Sequence, residues 1–284
     1  MGVKQTAARP ESLPSNMPFP NQADSSRADS AQTEWLEHVR PLPFVRSRLF
    51  CLPHAGGDAS QYVSWQQYFG LGIQVCPVQL PGRGRRIHQP PYRSARAAAE
   101  TAYEHLGRYF DLPAVLFGHS MGALIVYELA CILEDHGTPP QMLVVAGKAA
   151  PHLPPARARN SLGDEELIAD LRALGGTPHE LLEDRSALQF YLPLIRSDLA
   201  VVDDYIHRRE APLSCPILCL GGMADSTTGP ESLAAWSRYT RAEFDLRIFP
   251  GDHFFVRSET PLVCEAIVRM LRNDSGRNDH GGDI

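Results

Sequence analysis

Ala114-Val115-Leu116-Phe117-Gly118-His119-Ser120-Met121-Gly122-Ala123 is the stretch that decides the fold. Its first four residues form a short apolar run bounded by Pro113 and Gly118, which reads as a buried strand, and from Ala123 to Leu133 an apolar helical pattern follows. Gly118, Ser120 and Gly122 lie between the two in a G-x-S-x-G spacing. That strand, tight turn and helix context is what a nucleophile elbow requires. Two positions before and two after a serine held in so sharp a turn, only small residues avoid collision, which explains both glycines. The plainer alternative is a glycine-rich turn carrying an idle serine; the flanking strand and helix argue against it.

Outward from the elbow the same rhythm repeats. Short apolar runs at Arg48 to Leu52, Ile73 to Gln79, Met142 to Ala146, Pro216 to Leu220 and Phe244 to Phe249 read as further strands separated by helical patterns. This alternation predicts an α/β fold with a mostly parallel central sheet flanked by helices. Ala98, Ala102, Leu106 and Phe110 recur every fourth residue after a candidate Ser94 cap. Gly229-Pro230 and Thr260-Pro261 open two later helices. Between the fourth and fifth strands, residues 152–213 far exceed a crossover. Leu167, Ile168, Leu171 and Leu174 mark one helical face there, stopped by Gly175-Gly176, and Leu188 to Tyr205 continues as helix around Pro193. This insertion is expected to form a helical lid over the carboxyl ends of the strands, where open α/β sheets place their ligands. Its apolar face is expected mainly to pack the lid, with a share in acyl selection.

A serine hydroxyl needs a base, and the base needs an orienting acid. In chain order these follow the elbow as acid and then histidine. Asp225 stands just beyond the fifth strand and His253 just beyond the sixth, so both emerge at the same sheet edge as Ser120. Asp252 and Asp245 are the rivals for the acid, the first a sequence neighbour of His253 and the second inside a strand. Most other histidines, His207 included, read as surface residues, and His119 lies inside the elbow where it cannot easily reach the Ser120 hydroxyl. Leu52-Pro53-His54-Ala55-Gly56-Gly57, after the first strand, is a turn whose glycines let backbone approach a substrate closely. The backbone N–H groups of Ala55 and Met121 are therefore the candidate oxyanion hole.

The 284 residues, 43% apolar and 21% charged, fit one large globular domain, residues 34–272, between polar tails at 1–33 and 273–284 that are expected to be disordered. A net charge of −6 gives no attraction for phosphate backbones or anionic lipid, so neither nucleic acid nor a membrane is an expected partner. The stretch from Met121 to Leu133 is too short to span a bilayer and contains Glu128. With no apolar leader, the expected location is the cytoplasm. The six cysteines, each alone in an apolar segment, read as reduced core residues without zinc spacing.

Leu52 to Gly57, Gln79-Leu80-Pro81-Gly82-Arg83, Phe117 to Ala123 and Phe249-Pro250-Gly251-Asp252-His253-Phe254-Phe255 together resemble, in that order, the type II thioesterases. These are the editing enzymes of polyketide and nonribosomal peptide synthases. Trp35, Gly175-Gly176-Thr177-Pro178, Asp198 and Tyr205 extend the match over residues 35–272. The resemblance implies an α/β-hydrolase fold with a mobile lid, acting on acyl groups carried by the phosphopantetheine arm of an acyl or peptidyl carrier protein. It implies Ser120 as nucleophile, His253 as base and Asp225 as orienting acid, with no metal or dissociable cofactor. A monomer is expected. Arg83, Arg85 and Arg86 are a candidate contact for an acidic carrier helix. Gly147-Lys148-Ala149-Ala150-Pro151 departs from the Ser-Gly-Arg segment common in the family. A carboxylesterase or lipase remains the alternative enzyme, and a carrier-binding module without catalysis the alternative of another class.

Overall fold

The computed structural model describes residues 34–278 apart from 156, and the expectations for residues 1–33 and 279–284 lie outside the described residues. Six strands form one sheet: β1 (Ser47–Leu52), β2 (Ile73–Pro77), β3 (Ala114–His119), β4 (Met142–Ala146), β5 (Ile217–Gly222) and β6 (Phe244–Phe249). Their order is β2-β1-β3-β4-β5-β6, and every pairing is parallel. The expected parallel α/β sheet is thus present. β2 stops two residues before the expected Gln79 because the Gln79 amide leaves the ladder to donate to the Trp35 carbonyl (2.8 Å).

The helices are α1 (Gln66–Phe69), α2 (Ala95–Leu106), α3 (Met121–Asp135), α4 (Asp164–Leu174), α5 (His179–Glu183), α6 (Arg185–Asp203), α7 (Pro230–Ala234), α8 (Phe255–Ser258) and α9 (Thr260–Asn278). Ser94 caps α2 as expected, accepting from the Ala97 amide (3.4 Å). Phe110 falls instead in a 3-10 turn over Gly107–Asp111, where the α-helix has already ended. A second 3-10 segment, Ala59–Trp65, is capped by Asp58 and has no periodicity by which to read it. α9 runs six residues past the expected boundary at 272, since no proline interrupts its ladder before Asn278.

Alternation along the strands sorts the core into two layers. Phe50, Leu52, Leu116, Leu143 and Cys219 face a layer built with α2, α3, Trp35 and Trp236. Leu49, Cys51, Val115, Phe117 and Leu218 face the opposite layer, with Trp65, Phe69 and the apolar side of α9. α3 is buried almost all round, which accounts for its lack of a polar face. Each Leu or Ile it removes from water contributes about 1.5–3 kcal/mol. All six cysteines are buried and reduced.

α4, α5 and α6 lie in the insertion between β4 and β5. α4 and α6 close on a small core, Leu167, Leu192, Ile195 and Leu199, with Ala55 of the β1 turn packed against it. Of the expected apolar face, Leu167 is fully buried there and Ile168 and Leu171 pack against it. Pro193 sits inside α6, and Asp184 caps that helix through the Ser186 and Ala187 amides.

Candidate active site

β3 delivers Ser120 directly into the N-terminus of α3. Its backbone, at φ 55° and ψ −112°, is the one positive-φ non-glycine conformation among the described residues. Such a conformation costs on the order of 1–3 kcal/mol and persists only where its surroundings hold it. Here the Ser120 amide donates to the Ala146 carbonyl at the end of β4 (2.8 Å), and its carbonyl accepts from the Ala123 amide (3.0 Å). The two elbow glycines are required by close approach. A Cβ on Gly118 would collide with the Gly122 carbonyl, and one on Gly122 would collide with the carbonyl of Leu52 and lie 2.7 Å from that of Pro53.

Asp225 and His253 meet this serine from the ends of β5 and β6. His253 Nε2 lies 3.0 Å from Ser120 Oγ, and His253 Nδ1 lies 2.8 Å from Asp225 Oδ2. A carboxylate only accepts, so Nδ1 carries the proton and Nε2 presents its lone pair to the hydroxyl. Burial would raise the Asp225 carboxyl. The hydrogen bond and charge of His253, with two bonds from Thr227, outweigh it and hold the group well below the usual carboxylate range. The acid is therefore anionic whenever the histidine charges.

Two threonines absent from the sequence reading complete this arrangement. The Thr227 amide and hydroxyl both donate to Asp225 Oδ1 (2.7 Å each), and the Thr228 hydroxyl donates to Oδ2 (2.7 Å). Thr227 Oγ1 also lies 2.9 Å from His253 Nδ1, where its lone pair shares that proton. The signal was the run Asp225-Ser226-Thr227-Thr228 itself, an Asx-turn sequence. The rival acids are otherwise engaged: Asp252 caps the Phe254 amide (2.7 Å) and Asp245 pairs with Arg247 (2.7 Å).

His119 does not reach the serine. Its Nε2 donates to the His253 carbonyl (2.8 Å), tying the elbow to the loop after β6. His54 packs edge-on against His119 and Phe254, with ring centroids 5.2 and 5.0 Å away. Nδ1 of both His54 and His119 is shielded from solvent without a hydrogen-bond partner. Burial, reinforced by the nearby His253, lowers His54 to about 3 and His119 well below its ordinary value.

In the turn after β1, the Gly57 amide donates to the His54 carbonyl (2.9 Å) and the Gly56 amide to Asp198 Oδ2 (2.7 Å). The Ala55 amide has no acceptor among the described residues. Met121 opens α3, where backbone N–H groups point outward along the helix axis.

The expected arginine contact is corrected. Arg83 is buried against Asp198, and Arg86 lies with its guanidinium 4.0 Å over the Trp35 ring while donating to the Gln79 carbonyl (2.8 Å). Only Arg85 of the three reaches solvent, beside Glu37. A long stem and a five-donor fork let a buried arginine satisfy itself on carbonyls and one carboxylate, which spacing alone does not reveal. His207, read as a surface residue, instead packs on Tyr127 with its Nε2 3.1 Å from the phenol oxygen. In the departing segment, Gly147 lies against the His119 and His253 rings. The Lys148 carbonyl accepts from Trp236 Nε1 (2.7 Å), and burial lowers the lysine to about 8.

Among the described residues no group of His, Cys, Asp or Glu is arranged to hold a metal, and no helix is long and apolar enough to cross a membrane.

A parallel sheet with a helical insertion, and a Ser–His–Asp contact at the carboxyl ends of its strands, define an α/β-hydrolase. The chain belongs to the thioesterase domain family, which matches residues 47–272, and it is a thioester hydrolase of the type II thioesterase kind. It is 36% identical over 245 residues to the gramicidin S biosynthesis protein GrsT of Aneurinibacillus migulanus, covering 86% of this chain and 96% of that one. It is 35% identical to the thioesterase PikA5 of Streptomyces venezuelae, covering 86% and 88%. Among solved structures it is similar to RedJ, a thioesterase of prodiginine biosynthesis in Streptomyces coelicolor (38% identity, TM-score 0.74, 78% and 89% covered). It is also similar to YbtT, a type II thioesterase of the yersiniabactin pathway (30% identity, TM-score 0.75, 83% and 97% covered).

Proposed function

We propose that this protein removes acyl groups from the phosphopantetheine thiol of an acyl or peptidyl carrier protein in the cytoplasm, clearing misprimed or stalled units from a synthase. Ser120 Oγ attacks the thioester carbonyl while His253 Nε2 takes its proton, and Asp225 steadies the imidazolium that results. The amides of Ala55 and Met121 receive the oxyanion. Collapse of the tetrahedral intermediate breaks the C–S bond, and the leaving sulfur takes the proton from His253. Water then attacks the acyl-serine with His253 again as base, releasing the acid and restoring the hydroxyl. Serine, histidine and water suffice for both halves, so the reaction calls for no dissociable cofactor. The protein is proposed to act as a monomer.

The contact of His253 Nε2 with Ser120 Oγ, 3.0 Å, carries this reading. The test loads a carrier protein with acetyl or propionyl phosphopantetheine and follows loss of the acyl mass beside hydrolysis of a matched oxygen ester. Rapid release from the carrier, abolished by Ser120→Ala in a folded variant, is the expected result. Undiminished release by Ser120→Ala overturns the nucleophile, and fast ester cleavage with an untouched carrier overturns the substrate class.

A further inference from the structure

Asp198 belongs to the lid helix α6, yet its carboxylate is spent on the body. Oδ2 accepts from the Gly56 amide (2.7 Å) and from Arg83 Nη1 (2.8 Å), and Oδ1 accepts from Arg83 Nη2 (2.8 Å). Arg83 also donates through Nη1 to the Gly57 carbonyl (2.9 Å) and through Nε to the Pro81 carbonyl (3.2 Å). Both side chains are almost fully buried, at 5% and 3% exposure. One helical turn earlier on the same face, Ile195 and Leu194 press on two left-handed glycine turns. Cβ atoms added at Gly56 and Gly82 would lie 3.4 Å and 2.8 Å from those side chains. A single face of α6 therefore holds the 53–57 turn by a charged peg and the Ile195 contact, and reaches the Gly82 turn through Leu194.

We infer that Asp198 is a positioning residue through which the lid aims the Ala55 amide, so that the oxyanion site is complete only while α6 is seated. This rests on the reading that Ala55 N–H receives the oxyanion. Within the turn the Gly56 and Gly57 amides are engaged, and the Gly56 bond to Asp198 fixes the peptide plane next to the Ala55 amide. Lifting α6 removes that bond and takes from Arg83 the carboxylate that neutralises it. The lid thus acts on the electrostatics of the reaction and not merely on access.

The test compares wild type, Asp198→Asn and Arg83→Lys with an acyl-N-acetylcysteamine thioester, which needs no carrier docking. Steady-state constants are measured together with the inhibition constant of the corresponding trifluoromethyl ketone, whose adduct places an oxyanion in the site. In Asp198→Asn, kcat falls about 10²-fold, the scale of one lost oxyanion donor, while KM changes little. Inhibitor affinity falls in parallel, and amide hydrogen exchange over residues 53–57 quickens. Arg83→Lys keeps the charge but not the fork, and shows the same pattern at smaller size; it carries the test should Asp198→Asn fail to fold. A folded variant with unchanged kcat, or one that loses kcat while holding the trifluoromethyl ketone as tightly as wild type, overturns the inference. Ser120→Ala separates the two levels: if it stays active the underlying reading fails, whereas an inactive Ser120→Ala beside an unimpaired Asp198→Asn sinks this inference alone.

Discussion

Lowering the pH from 7.5 to 5.5 is expected to destabilise this protein through two imidazoles outside the Ser120–His253–Asp225 contact. His54 and His119 are kept neutral in the fold, the first down to about 3 and the second well below its ordinary value, chiefly because burial disfavours their charged forms. An unfolded chain protonates both near 6.5. Below that value the unfolded state binds more protons, so stability is full above 6.5 and drains as the pH falls toward the folded values. At pH 5.5 each ring costs RT ln 11, about 1.4 kcal/mol, and the pair about 2.8 kcal/mol. At a urea slope of about 3 kcal/mol/M this lowers the unfolding midpoint by about 1 M. The measurement is urea unfolding by fluorescence and circular dichroism at both pH values, for wild type and His54→Gln. The variant should lose about half of the pH effect, since one of the two titrating rings is gone. Equal midpoints at the two pH values, or a full-sized drop in His54→Gln, would show that these rings charge in place and that the burial argument is wrong.

Other perturbations probe the site more directly. Asp225→Asn keeps the shape but no longer enforces the proton on His253 Nδ1, so kcat is expected to fall about 10⁴-fold with native circular dichroism, measured by thioester turnover. Thr227→Val removes the hydroxyl that bonds both Asp225 and His253; kcat should drop by about tenfold and stability by about 1 kcal/mol, read by kinetics and by urea midpoints. Gly122→Ala drives a methyl into the Leu52 and Pro53 carbonyls, and a loss of about 3 kcal/mol or more is expected, visible as a lowered melting temperature together with lost activity.

The meeting of Ser120, Asp225 and His253 was legible because each sits at the end of a strand whose apolar run is local in sequence. Elbow geometry writes itself into two glycines, and strand-end position separates Asp225 from Asp245. What stayed hidden depends on partners distant in the chain. Arg83 reads as a solvent arginine until Asp198, 115 residues later, supplies its carboxylate. His119 reads as unusable until the His253 carbonyl, 134 residues away, takes its proton. The 3-10 segment at Ala59–Trp65 offers no hydrophobic period, and the threonines around Asp225 resemble any loop until the carboxylate is placed among them.

The strand order has a consequence for synthesis. Ser120, Asp225 and His253 hang from β3, β5 and β6, and β6, outermost on its side of the sheet, is made after the other five strands described. The first five strands alone cannot hold the three together, so the Ser120–His253 contact, between residues 133 apart, must close before the three can act together, and such non-local closure is intrinsically slow. On the proposed mechanism, nascent and partly folded chains are therefore inert toward thioesters. On that mechanism, enzymatic activity counts only molecules in which β6 has docked on β5.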